Sequence, residues 1–155
     1  MQTVSTDRIE KRVTLRAPRS RVWRAISNAD EFGRWFGANL SGTIAPGNRL
    51  KGPITIKGYE HLTIDVTVEK VEPERVMSFR WHPNAIDVDH DYSSEPTTLV
   101  TFTLEDSDGG TLLTVVENGF DSIPLSRRAE AFRGNESGWA QQMVQIEQYL
   151  ANAAK

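Results

Sequence analysis

The sequence predicts an α+β fold in which one antiparallel sheet of about six to seven strands is covered by a long C-terminal helix. Two observations carry this. Residues 61–71 alternate, with Leu62, Ile64, Val66 and Val68 in one phase and Thr63, Asp65, Thr67 and Glu69 in the other, the pattern of an antiparallel strand buried on one face. Residues 126–154 instead place Phe132, Trp139, Met143, Ile146, Leu150 and Ala153 at steps of seven, four, three, four and three, which is one apolar stripe on a helix. Arg133, Gln141, Gln145, Gln148 and Asn152 lie opposite it. No other segment offers a matching stripe, so the sheet is expected to curve around this helix.

In chain order, residues 8–15 read as a strand with Ile9, Val13 and Leu15 in one phase, ended by Ala17-Pro18. Pro18 suits a first helical turn, and residues 19–27 follow as a short helix presenting Val22, Trp23 and Ile26. A second short helix is expected over residues 30–35, capped by Asn28 or Asp30 and stopped by Gly37. After the turn signal Pro46-Gly47-Asn48 come strands at 49–56, 61–71 and 76–82, the last with Met77, Phe79 and Trp81 in phase. Strands at 97–105, with Val100, Phe102 and Leu104 in phase, and at 111–118, with Leu113, Val115 and Glu117 in phase, are joined by Asp108-Gly109-Gly110. The longest irregular stretch is 83–96.

At 155 residues the chain is expected to form one domain, 1–155, able to bury its own core. It has no cysteine, which excludes disulfides, thiolate nucleophiles and Cys-ligated zinc and fits a reducing compartment. No run approaches the roughly 18 apolar residues of a membrane span, and residues 1–7 are short and polar; a soluble, cytoplasmic protein is expected. Net charge is −3, but residues 1–34 hold eight Lys/Arg against four Asp/Glu. Arg8, Arg12 and Arg16 share one face of the first strand, where charge discourages sheet-to-sheet aggregation. An acidic chain with no basic helix stripe gives no reason to expect nucleic acid.

The motifs Ala17-Pro18-x-x-x-Val22-Trp23-x-Ala25-Ile26, Trp35-Phe36, Gly109-Gly110-Thr111, Gly119-Phe120 and Gly138-Trp139, in this order of elements, resemble the heat-shock-protein ATPase activator family of the START, or SRPBCC, helix-grip superfamily. The resemblance covers nearly the whole chain. It implies a deep cavity between sheet and long helix, and relatives that bind lipids or polyketides, cyclise polyketides, serve as self-sacrificing resistance proteins or assist a chaperone. The eukaryotic co-chaperone carries an additional N-terminal docking domain, for which 155 residues leave no room. The expected role is therefore binding of a small apolar or amphipathic molecule without redox or metal cofactor. The alternatives are a co-chaperone-like interaction module with a filled interior, its partner a chaperone, and a cyclase- or hydrolase-like enzyme using Glu117 or a histidine for acid–base work.

Several constellations bear on these readings. Asp87-x-Asp89-x-Asp91 lacks the glycine and bidentate Glu of a calcium loop, because Tyr92 and Thr98 stand in their places. His61, His82 and His90 show no metal-ligating spacing, and no phosphate loop or nucleophile elbow is present. Glu117 shares a phase with Leu113 and Val115 on the face to be covered, and a buried carboxylate is costly unless hydrogen-bonded or paired. Either it reaches solvent or pairs with an arginine such as Arg133, or it is a polar anchor in the cavity with Asn135 opposite. Gly134 and Gly138 each cost a helix about 1 kcal/mol relative to alanine. Either they let the helix bend and pack closely, or this half of the helix lines a cavity. The candidate ligand-binding residues are Val66, Phe79, Phe102, Glu117 and Asn135, with Trp35, Trp81, Tyr92 and Trp139 as aromatic walls. No catalytic or metal-binding set stands out, and the oligomeric state is not readable.

Overall fold

The computed structural model describes residues 7–153. Residues 1–6, and Ala154 at the expected helix end, lie outside the described residues. The elements follow as β1 (Arg8–Leu15), α1 (Arg19–Ser27), α2 (Ala29–Phe36), β2 (Arg49–Pro53), β3 (Thr63–Glu72), β4 (Val76–Trp81), β5 (Thr98–Ser107), β6 (Gly110–Asn118), a 3-10 turn (Phe120–Ser122) and α3 (Leu125–Ala153). The six strands form one antiparallel sheet in the order β1-β6-β5-β4-β3-β2, curved around α3. This is the α+β helix-grip architecture the sequence predicts.

Local chemistry explains the boundaries. Asn28 is the cap of α2, its side chain accepting from Glu31 N at 3.0 Å, and Gly37 ends the helix with φ 99°, a left-handed conformation glycine adopts without steric cost. β2 stops at Pro53, short of the expected 56: Pro53 has no N–H to extend the ladder, and Ile54 forms only an isolated bridge with Ala38. At the β5–β6 hairpin, a Cβ on Gly110 would lie 1.9 Å from the Leu15 carbonyl oxygen. Only glycine lets the end of β1 come this close, and Thr111 Oγ1 completes the joint by donating to Ala17 O at 2.7 Å.

The inner sheet face carries Ile64, Val66 and Val68 of β3, Met77 and Phe79 of β4, Val100, Phe102 and Leu104 of β5, and Leu113 and Val115 of β6, all buried. Met143, Ile146 and Leu150 of α3 are buried too, whereas Arg133, Gln141, Gln145, Gln148 and Asn152 face outward. Glu31 on α2 ties three helices together: Tyr149 Oη donates to it at 2.7 Å, and Arg21 and Arg24 pair with it at 2.9 and 2.7 Å. Burial pushes the Glu31 pKa up, but these hydrogen bonds and charges outweigh it and hold the carboxyl below its ordinary value. Within the basic N-terminal segment Arg8 and Arg12 on edge strand β1 both pair with Glu10, while Arg19 pairs outside it with Glu74 and Asp106.

Candidate functional site

Glu117 is the centre of the site. Strand parity on β6 turns it to the inner face with Leu113 and Val115, and it is fully buried. Four uncharged side chains converge on it. Trp81 Nε1 donates to Oε2 at 2.7 Å, Thr98 Oγ1 to Oε2 at 2.5 Å and Trp139 Nε1 to Oε1 at 2.7 Å. Asn135 Nδ2 lies 2.9 and 3.1 Å from the two oxygens. Sheet register supplies two of these donors, because Trp81 and Thr98 are direct partners on β4 and β5, one inward step beyond the Phe79–Val100–Glu117 row. The helix supplies the other two at i and i+4. A carboxylate offers about four lone-pair directions, and these contacts occupy them. Neither solvent nor Arg133 takes part; Glu117 binds the helix to the sheet.

Above this hub the indole rings of Trp81 and Trp139 lie 5.8 Å apart, and Phe36 stands 6.1 Å from each. This aromatic trio borders two open spaces. The larger is a cleft of about 670 Å³, walled by the start of β3, the end of β4 and the 83–96 loop, within the roughly 300–1,000 Å³ of small-molecule sites. The smaller is an arm of about 170 Å³ running along α3 past Gly138 and Gln142. Both are bordered by Phe36, Trp81 and Asn135. At Gly138 a Cβ would meet nothing within 4 Å, whereas one at Gly134 would lie 3.2 Å from Asn84 Oδ1. The first glycine opens the arm, and the second admits the loop against the helix.

The structure divides the expected site residues. Trp81, Tyr92 and Asn135 line the cleft, Trp139 lines the arm, and Glu117 lies beneath them. Val66 and Phe79 instead border a void of about 10 Å³ in the packed core, room for about one water. Phe102 is fully buried, and Trp35 is buried with Nε1 donating to Ala25 O at 2.8 Å. The open space is therefore at one end of the sheet, not beneath its centre. Sequence reasoning missed Phe36, Thr98, Gly138 as open space, and Gln142. Two signals were present: Thr98 shares parity with Val100 and Phe102, and Asn135, Gly138 and Gln142 follow the 3-then-4 spacing of one helix side.

The 83–96 loop is fastened over the cleft by Glu95. Arg127 Nε donates to one carboxylate oxygen at 2.8 Å and His90 Nε2 meets the other at 2.6 Å. Arg127 also donates to Pro83 O at 2.8 Å and lies over the Tyr92 ring at 4.8 Å. Asp87 and Asp91 accept from backbone N–H groups of Asp89 and Ser93, and among the described residues no group of three or more His, Asp or Glu could hold a metal ion. Burial raises the Glu95 pKa, but the His90 and Arg127 hydrogen bonds more than offset it and leave it lowered. A depressed carboxyl contributes its stabilisation above its unfolded-state pKa and loses it as pH falls through the folded one. The loop should thus stay fastened at neutral pH and release only below the usual carboxylate range. Protection of residues 83–96 against hydrogen exchange, taken relative to the intrinsic rate at each pH, should fall at such acid pH in wild type and already at pH 7 in Glu95→Gln; equal protection in both proteins at pH 7 would contradict this clasp.

A family profile described as Activator of Hsp90 ATPase homolog 1-like protein matches residues 16–151. The chain belongs to this family. No curated protein matches it. Among solved structures it is similar to protein MLL2253 of Mesorhizobium loti, 27% identical with TM-score 0.73, covering 94% of this chain and 97% of that one. It is also similar in fold to the Aha1 dimer of Colwellia psychrerythraea (17% identical, TM-score 0.63, 90% and 92% covered). DynU16, from the dynemicin biosynthetic locus, is 24% identical with TM-score 0.72; the match takes in 95% of this chain but 48% of that one. Among the described residues of this Hsp90-activator-like chain, no helix is long and apolar enough to cross a membrane.

Proposed function

We propose that the protein binds a small amphipathic molecule, with its apolar part against Phe36, Trp81 and Trp139 and its polar part in the wider cleft. The observation that carries this reading is the pair of open spaces sharing Phe36, Trp81 and Asn135 at a wall held rigid by Glu117. Two further features support it. Ile86 and Val88, 51% and 67% exposed, line the cleft as apolar surface without cover. Arg49, His61 and His82 add polar groups at the same cleft, as orientation of an amphipathic ligand needs.

Gly138 gives the test, because a side chain there enters the arm without disturbing the core. Gly138→Ala should stabilise the protein by about 1 kcal/mol through helix propensity alone. Gly138→Leu should fold as well as wild type yet lose the saturable fluorescence rise of an uncharged, polarity-sensitive naphthalene dye. Dye binding unchanged by Gly138→Leu would place the ligand elsewhere; the absence of saturable binding in wild type would overturn the reading.

The second reading, a co-chaperone-like interaction module, is favoured by the family and by the filled centre of the sheet around Val66, Phe79 and Phe102. ATP turnover of an Hsp90-type chaperone separates the two. A saturable rise that persists in Gly138→Leu supports the module.

A further inference from the structure

We infer that the arm beside Gly138 selects ligands that enter it with a hydrogen-bond donor on an apolar ring, a hydroxyl or an amine, over rings of the same shape bearing no donor or a carboxylate. This rests on the small-molecule reading of the cleft and adds that the apolar part entering the arm carries a donor of its own, the main polar part staying in the wider cleft. The reason is how the site's own polar groups are spent. Trp81 and Trp139 each have one N–H, and both are turned to Glu117; so is the Thr98 hydroxyl.

Asn135 is fixed by the same carboxylate. A carboxylate there only accepts, so the amide nitrogen must face Glu117, as it does at 2.9 and 3.1 Å, and Oδ1 must point away. Asn135 borders both the cleft and the arm, and its Oδ1 has no hydrogen-bond partner among the described residues. Gln142 is set the same way. The Phe36 carbonyl can only accept, Nε2 donates to it at 2.9 Å, and Oε1 is left buried with no partner among the described residues.

The arm is therefore lined by ring faces and by two amide side chains whose oxygens have no partner among the described residues, its indole N–H groups already spent. An unsatisfied buried acceptor is costly, and an entering O–H or N–H removes that cost. A carboxylate entering would meet acceptor oxygens and the negative faces of aromatic rings, with Glu117 behind them. The arm's 170 Å³ is close to the roughly 150 Å³ of an engineered cavity that takes benzene, so one ring with a short substituent fits. Glu117 becomes a positioning residue: it decides which way round the Asn135 amide sits.

Phenol, benzylamine, toluene and benzoate share one ring and differ in the group they lead with. Their affinities can be read from shifts of the indole and side-chain amide N–H signals on titration. Phenol and benzylamine should each bind about tenfold more tightly than toluene, the worth of one added hydrogen bond to a previously unpaired acceptor, and benzoate should bind most weakly. In Gln142→Leu and in Asn135→Ala this advantage should shrink while toluene binding persists. Toluene binding as tightly as phenol, benzoate binding best, or a preference intact in both variants would overturn the inference and leave the cleft reading standing. If none of the four moves the Trp81 and Trp139 signals, both fall. Gln142 lies partly exposed on α3 and outside the Glu117 cluster, so its variant carries the test should Asn135→Ala fail to fold.

Discussion

Glu117→Ala is expected to destabilise the protein by on the order of 4 kcal/mol. The substitution orphans the Trp139 N–H and the Thr98 hydroxyl in the interior, each at roughly 1–3 kcal/mol, and opens a void where the carboxylate stood. Trp81 and Asn135 are partly exposed and can turn to water in the cleft, which limits the loss. Glu117→Gln is the more informative change. Its amide nitrogen must replace one of two oxygens, and each of these faces an indole N–H that can only donate: Trp139 at Oε1, Trp81 at Oε2. Either orientation sets donor against donor, so about 1–3 kcal/mol should be lost although shape and volume are kept. Chemical denaturation of the two variants measures both numbers. A Gln variant as stable as wild type would mean that Glu117 is not held as an acceptor by the indoles.

Ile146→Ala should cost about 2–5 kcal/mol. Ile146 is fully buried on α3, in the half of the helix that holds Met143 and Leu150 against the sheet, and removing three carbons there leaves a cavity that close-packed neighbours fill only in part. About two turns earlier, Gly138 faces open space, and adding a methyl group there should stabilise. The two ends of one helix should thus respond with opposite signs to a change in side-chain volume. That contrast is the measurable form of a helix packed at its C-terminal half and set over a cleft at its N-terminal half. Thermal melts of the two single variants are sufficient; a loss below about 1 kcal/mol for Ile146→Ala would mean the C-terminal half is as open as the arm.

The order of elements and the inward face of each strand were legible because both follow from periodicity, which is local. Residues 61–71 alternate, so β3 could only bury Ile64, Val66 and Val68, and Glu117, in phase with Leu113 and Val115, fell on the face to be covered while solvent, Arg133 and Asn135 all stayed open as its partner. The 126–154 stripe likewise implied a helix with Met143, Ile146 and Leu150 inward. What periodicity does not specify is which inward residues meet packed neighbours and which meet space. That depends on the length of β2, cut short at Pro53, and on where α2 leaves Phe36 relative to Trp81 and Trp139. It depends also on how far Arg127 and Glu95 draw the 83–96 loop over the sheet's end.

By itself, then, the sequence determined an α+β helix-grip architecture, the family to which the motifs belong, and a carboxylate on the strand face to be covered. Tertiary structure alone decided who those partners are. Trp81 and Trp139 stand 36 and 22 residues from Glu117 along the chain, and their N–H groups reach it only because strand register and helix docking bring three elements to one point. The same convergence fixed the Asn135 and Gln142 amides, since each orients by what its nitrogen finds. Burial follows from a residue's own periodicity, but the direction of a hydrogen bond requires both ends, and the second end lies elsewhere in the chain.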